Sequence, residues 1–314
     1  MPLKPIIELV THDGKFHADE VLASIILTDL FPGADLFRTR DPEMTCPSAG
    51  RIVFDVGYVF DPVSGLFDHH QPGSPERNCG TPYSAFGLIW REFGHAWLAG
   101  KVSQEILEEV FMKIDENLVK TVDAVDNGRL APAAAGAFGG MTVFSMIDDF
   151  APGWRDDDQV EANLAFGRAC TFASRFLEGR VRTIALKLEA TAILRGKIAM
   201  TDGPVLVLPQ GMPWHGPIAE PGAEHILMVT HPRTDGSWVV STVPREPGSY
   251  ETRLDLPEDW AGLEHGALQE ASGLASAVFC HKKRFMAVVG NGGDALAMAE
   301  AAIALAGQEP AVSF

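Results

Sequence analysis

The sequence predicts an α/β fold: a domain with a mainly parallel sheet flanked by helices, followed by a smaller C-terminal α/β domain. Three observations carry this expectation. Strand-sized apolar runs alternate with stretches of helical periodicity in the first half of the chain. A second alternation begins after Asp202 and Gly203. Between the two, residues 159–198 keep a helical pattern that reads as one long helix or a helix pair. The expected division is a first domain over residues 1–160, a helical connector over 161–200 and a second α/β domain over 201–314, to which the family resemblance given below assigns substrate binding.

Taken in order, residues 6–10 form a branched apolar strand that delivers the chain into THDGKFHADE. This opening reads as a first strand and not as a signal peptide. Val21, Leu22, Ile25, Ile26 and Leu30 then recur at helical spacing, with Phe31, Pro32 and Gly33 as a stop. Residues 36–38 and 51–54 are further strands, the latter running into Asp55. Residues 84–98 and 103–121 are helical. The Ala, Gly and Pro-rich stretch 129–140 is a loop expected to line the cleft, and Asp156 to Asp158 read as a helix cap and first turn. In the second unit, residues 205–208, 226–229 and 238–243 are strands, the last two joined across a Thr234-Asp235-Gly236 turn. Residues 278–281 and 285–289 follow as strands, and 294–306 as an alanine-rich helix.

Composition narrows the function. With 314 residues, 46% of them hydrophobic, the chain can build two cores. No apolar segment approaches the length a bilayer requires, so no membrane partner is expected. Cys46, Cys79, Cys170 and Cys280 show no Cys-x-x-Cys spacing, which removes a zinc knuckle and leaves the cytoplasm as the default location. A formal charge of −17, from 42 acidic against 25 basic residues, argues against a large duplex-DNA footprint. An acidic protein can still act on phosphate esters where bound cations reverse the local field. Whether the chain forms a homodimer is left open by its composition.

The residues that carry chemistry follow predicted strands or helices: His12, Asp13, His17 and Asp19, then Asp55, then Asp68, His69 and His70, then Asp123 and Asp126. Imidazoles mixed with carboxylates suit two divalent ions, with manganese expected and magnesium or zinc as alternatives. Such a pair lowers the pKa of a water and draws charge from phosphoryl oxygens. The expected assignment gives His12 and His17 to one ion, Asp19 and His69 to the other, and Asp55 to both. Asp126 either binds the second ion or supports its oxygen ligands. Asp68 orients a histidine, and His70 contacts the phosphate or serves as general acid. Taken singly, each of these is an ordinary loop histidine or turn aspartate; their joint occurrence at strand ends is what points to a metal site. Asp123, three residues before Asp126, could share its face of a helical turn. Lys15, Arg38 and Arg40 are candidate phosphate contacts, although an arginine pairing with Asp41 or a helix end explains FRTRDP equally. Gln71 could orient a water.

As a set, THDGKFHADEVLAS, RTRDP, FDVG, FDHHQ and VDAVDNG resemble the MYG1 family (UPF0160), a branch of the DHH phosphoesterase superfamily, and the resemblance runs over nearly the whole chain. It implies a DHH domain with a divalent pair, a C-terminal domain over the cleft, and 3′-to-5′ exonuclease action on RNA or short oligonucleotides. Asp55 matches the aspartate of the second motif, Asp68-His69-His70 the name-giving motif and Asp126 the final aspartate. His17 stands where the wider superfamily has an aspartate, with one extra residue between it and His12, which affects metal preference. In the C-terminal half MPWHG, VPREPGSYETRLDLPEDW and residues 278–299 also resemble the family. There Phe285-Met286-Ala287-Val288 replaces a Phe-Ile-Gly-Gly run; if the family's glycines let backbone amides approach the substrate, this chain does so from Gly292 and Gly293 or not at all. Trp214 and His215 are candidate substrate contacts, with a core role for Trp214 as the competing reading. The alternatives to a nuclease are hydrolysis of a small nucleotide or polyphosphate ester, and a metal-binding protein without turnover.

Overall fold

In the computed structural model, residues 5–131, 142–153 and 158–307 are described. The loop expected at 129–140 and the aspartates at 156 and 157 lie mostly outside them. The chain divides into two compact units, Met1–Ala185 and Leu186–Phe314.

The first unit is built on a five-stranded sheet. Strand β1 (Glu8–Thr11) is followed by helix α1 (Ala18–Leu30), β2 (Asp35–Arg38), the short helix α2 (Pro42–Thr45), β3 (Arg51–Phe54), β4 (Phe60–Asp61) and β5 (Leu66–Phe67). The strands lie in the order β2-β1-β3-β5-β4. β1 pairs in parallel with β2 and β3, β3 pairs in parallel with β5, and β4 runs antiparallel along the edge. Val10 sits opposite both Phe37 and Val53. Three adjacent strands, β1, β3 and β5, therefore stop on the same side of the sheet, which is where an open parallel sheet collects its functional side chains. The β4–β5 hairpin had no legible sequence signal, since two residues per strand show no alternation.

Helix α1 is buried from Ala18 to Leu27, including Asp19 and Glu20, so it is a central helix and not a half-solvated one. It packs against α3 (Ala85–Leu98). The helical stretch expected at 103–121 is three pieces: α4 (Leu107–Ile114), a π-helical segment Asp115–Val119, and α5 (Lys120–Asp126). Across this segment Asp115 holds the Arg77 guanidinium through two oxygens, at 2.7 and 2.9 Å, while Asp123 takes its Nε. Asp123 also accepts the amide and hydroxyl of Ser84 at the start of α3, at 2.9 and 2.8 Å. This fully buried carboxylate locks α3, α5 and the Arg77 loop together and does not share the cleft with Asp126. A Cβ at Gly87 would collide with the Asp123 carboxylate. Gly87→Ala is thus expected to lower stability by about 1–3 kcal/mol, the scale of a forced overpacking, measured by urea unfolding; an unchanged midpoint would refute the close approach. Helix α6 (Val143–Asp148) completes the unit's short helices.

Residues 159–198 form one helix, α7 (Gln159–Ala199), whose start is capped by the Asp158 carboxylate at 3.0 Å from the Val160 amide. The second unit then folds β6 (Val205–Val207), β7 (Met228–Pro232), β8 (Trp238–Thr242), α8 (His265–Ser272), β9 (Ala277–Cys280), β10 (Met286–Val289) and α9 (Gly292–Ala306). Its sheet runs β6-β7-β8-β10-β9, parallel only between β6 and β7. Among the described residues no helix is long and apolar enough to cross a membrane.

Candidate metal centre

Each of the three central parallel strands delivers a ligand-type residue within two positions of its end. β1 ends at Thr11 and His12 follows; β3 ends at Phe54 and Asp55 follows; β5 ends at Phe67, followed by Asp68, His69 and His70. Asp55 holds a positive φ of 57°, a conformation aspartate tolerates better than most residues and one that marks a constrained turn. α1 contributes His17, Asp19 and Glu20 from its first turn, and α5 contributes Asp126 from its last residue.

These groups converge. The His69 Nε2 lies 3.2 Å from Asp55 Oδ1, 3.3 Å from Asp126 Oδ2 and 4.0 Å from Asp19 Oδ2. The other Asp55 oxygen is 3.2 Å from His12 Nε2, which is itself 3.0 Å from Glu20 Oε1. Asp55 thereby stands between His12 and His69. Donor atoms draw together in three sets: His12, Glu20 and Asp55; His17, Asp19 and Asp126; and Asp55, Asp68, His69 and His70. His17 groups with Asp19 and Asp126, not with His12.

Two details bear on whether cations fit. Asp19 is 1% exposed, yet among the described residues neither carboxylate oxygen has a hydrogen-bond partner. A buried carboxylate left in this state is costly unless something else satisfies it. The second detail is the tautomer available to His12: its Nδ1 donates to the Asp13 carbonyl at 2.8 Å, which leaves Nε2 as the ligand nitrogen. Mixed oxygen and nitrogen donors, orphaned buried oxygens and a fixed ring orientation all suit divalent metal.

Without a cation the groups hold one another by sharing protons. Burial opposes charge on His12, but hydrogen bonds to Asp55 and Glu20 outweigh it and push its pKa up to about 10. Asp55 is likewise disfavoured by burial, yet His12 and His69 hold it down at about 2. Asp19 is raised well above the ordinary carboxylate range, first by burial and then by the charges of Asp55, Asp126 and Glu20. Since His12 carries a proton at neutral pH, cation uptake at its Nε2 must release one. Apparent metal affinity is therefore expected to rise with pH from about 6 to about 9. Calorimetry in buffers of differing ionisation heat would detect the released proton; a pH-independent affinity would contradict this arrangement.

Asp68 is bonded to His70: its Oδ1 accepts from the His70 Nδ1 at 2.7 Å, and the carboxylate also accepts the amides of Tyr58, His69 and His70. That bond raises the His70 pKa. A cleft of about 760 Å³ opens over the site, lined by Lys15, Arg40, Tyr58 and Asn127 together with His12, His17, Asp55, His69, His70 and Asp126. Arg40 pairs with Asp13 at its rim, 3.3 Å away. Arg38 is not among the lining residues: its guanidinium is held by the carbonyls of Gly14 and Ala162 and lies over Phe166. Gln71 donates to the Asp68 carbonyl at 2.9 Å.

In the second unit Trp214 is 4% exposed and stacks on His215 at 3.8 Å, which is the core placement named as its competing reading. Gly292 and Gly293 open α9, and a Cβ on Gly292 would meet the Trp238 ring at 2.8 Å. The sequence reasoning missed Glu20. Its signal was present, three residues after His17, where its carboxylate accepts the His17 amide at 2.9 Å and caps α1.

An α/β protein with a buried histidine and carboxylate cluster suited to divalent metal is the class that this fold and site define. Residues 8–303 match the MYG1 family, described as an uncharacterised protein family (UPF0160), and the chain belongs to it. It is 32% identical to the MYG1 exonuclease of Homo sapiens, over 96% of this chain and 87% of that protein. It is also 32% identical to a MYG1 protein of Schizosaccharomyces pombe, over 90% and 92% respectively. Of solved structures, RecJ from Thermus thermophilus aligns over 97% of this chain and 50% of that one at 15% identity, with a TM-score of 0.25, too low to argue from.

Proposed function

We propose that the chain is a metal-dependent phosphodiester hydrolase of the DHH kind, trimming RNA or short oligonucleotides from the 3′ end. The observation that carries this reading is the convergence of Asp55 and His69, at the ends of β3 and β5, with Asp19 of α1 and Asp126 of α5. The exonuclease name carried by relatives at about a third identity supports the substrate class.

In this reading His12 and Glu20 would hold one cation and His17, Asp19, Asp126 and His69 the other, with Asp55 available to both through its two oxygens. Two divalent ions, manganese first among them, would supply Lewis acidity toward water and toward the phosphoryl group. The chain's own residues do the rest. Asp68 holds the His70 ring through Nδ1, leaving Nε2 to donate a proton to the leaving oxygen. Lys15 and Arg40 at the cleft offer positive charge to a phosphate in a protein whose net charge would repel it. The test is incubation with end-labelled RNA, DNA and dinucleotides in manganese and in magnesium. Metal-dependent release of terminal nucleotides from RNA is expected; turnover confined to a small nucleotide or polyphosphate would replace the exonuclease reading with the alternative.

A further inference from the structure

We infer that the chain pairs with a second copy of itself through one exposed face of α7, the two helices lying antiparallel about Ile193. This pairing is independent of the hydrolase reading, since it uses none of the groups assigned to metal or phosphate. The part of α7 that belongs to the second unit, residues 186–199, carries two apolar stripes. One is the inward stripe any packed helix has: Ala190, Leu194 and Ile198 join Trp214, Ile218, Val229 and Val243 in that unit's core. The other faces water. Leu186 and Ile193 are each 52% exposed and Met200 is 85% exposed. Met200 continues the helical turn, its amide donating to the Lys197 carbonyl at 3.2 Å. Residues seven apart on a helix fall within about 20° of one line, so these three side chains form a single seam. A helix with one face in a core ordinarily turns polar side chains outward. A seam of large apolar residues at heptad spacing is instead what two helices bury against each other.

Charge selects the occupant. Glu189 and Lys197 flank the seam, four residues before Ile193 and four after it. The ion pairs made by α7 are Arg168 with Glu161, Arg175 with Glu178 and Arg195 with Glu220; among the described residues neither Glu189 nor Lys197 is in one. A two-fold axis through Ile193 sets each residue against the one equally distant on the other side of Ile193. Ile193 then meets the partner's Ile193, Leu186 meets the partner's Met200, and Glu189 meets the partner's Lys197. The last two contacts each occur twice. A parallel pairing would instead set Glu189 against the partner's Glu189. The seam is therefore complementary to itself in both apolar content and charge, which a second copy satisfies. From Leu186 to Met200 it runs about 21 Å. A contact this short belongs with the weak, concentration-dependent associations that bury less than about 1,200 Å².

The test is sedimentation equilibrium of the full chain from sub-micromolar to high micromolar concentration, where a reversible monomer–dimer equilibrium is expected. Ile193→Glu places two carboxylates against each other on the axis and should weaken the dimer at least roughly tenfold. Glu189→Lys and Lys197→Glu should each weaken it roughly tenfold, because each sets like charges opposite one another at two places. Combined in one chain, the two reversals should restore the parent's Kd to within about threefold, since attraction returns with the signs exchanged. The reversals leave the apolar seam intact and so decide the question even where Ile193→Glu lowers helicity, which circular dichroism reads. A chain that stays monomeric throughout, a dimer that folded Ile193→Glu leaves intact, or charge reversals that fail to rescue each other would overturn the pairing.

Discussion

Asp55→Asn is expected to reduce metal-dependent phosphodiester hydrolysis by at least roughly two to three orders of magnitude, the scale seen when a preorganised charge-stabilising group is removed. The argument is positional. Asp55 is 3% exposed, sits in a left-handed turn at the end of β3, and places one oxygen against His12 and the other against His69. Asparagine keeps the shape and the turn but offers one oxygen and a neutral amide. It can no longer face both donor sets with negative charge. The fold should survive, because asparagine also tolerates the left-handed region. The measurement is single-turnover hydrolysis of end-labelled RNA in manganese, with circular dichroism to confirm folding. A folded variant retaining the parent rate would remove Asp55 from the chemistry.

Asp19→Asn is expected to act in opposite directions on stability and on metal. Asp19 is buried on α1, neither oxygen has a hydrogen-bond partner among the described residues, and its pKa is raised by burial, then by Asp55, Asp126 and Glu20. A raised folded-state pKa means that the metal-free fold loses stability as pH climbs above the ordinary value of 3.8 toward the raised one. Asparagine does not ionise and so escapes that loss. The metal-free variant should therefore be more stable than the parent at neutral pH, by about 1–3 kcal/mol. The same change removes a charged ligand, so the rise in Tm that manganese gives the parent should shrink or vanish. Thermal unfolding with EDTA and with manganese reads both effects. A variant less stable in EDTA, with an undiminished manganese response, would show that Asp19 is a structural carboxylate.

Much of the site was legible because parallel strands convert sequence order into spatial neighbourhood. Branched apolar runs at 6–10 and 51–54 announce strands, and polar residues just after them must meet at one rim. The helical residues were harder. Asp123 and Asp126 are equivalent in sequence, but only the structure shows Asp123 spent on Arg77 and Ser84. Glu20 lay hidden because a glutamate in a first helical turn is what any capped helix has. His17 was paired with His12 by proximity in sequence, whereas the entry into α1 carries it to Asp19 and Asp126. Arg38 is drawn away from phosphate by backbone carbonyls from distant parts of the chain, which no local pattern reveals. In the second unit the strands were readable from their apolar runs, whereas the antiparallel pairing of β8 with both β7 and β10 appears only in the structure.

The most direct test is a manganese-soaked crystal of the full chain, read by anomalous diffraction. Two peaks are expected between α1, α5 and the ends of β1, β3 and β5, with Asp55 touching both and Asp19 touching one. Manganese bound elsewhere, or none beside those two carboxylates in a well-ordered crystal, would contradict the assignment from which the proposed activity follows.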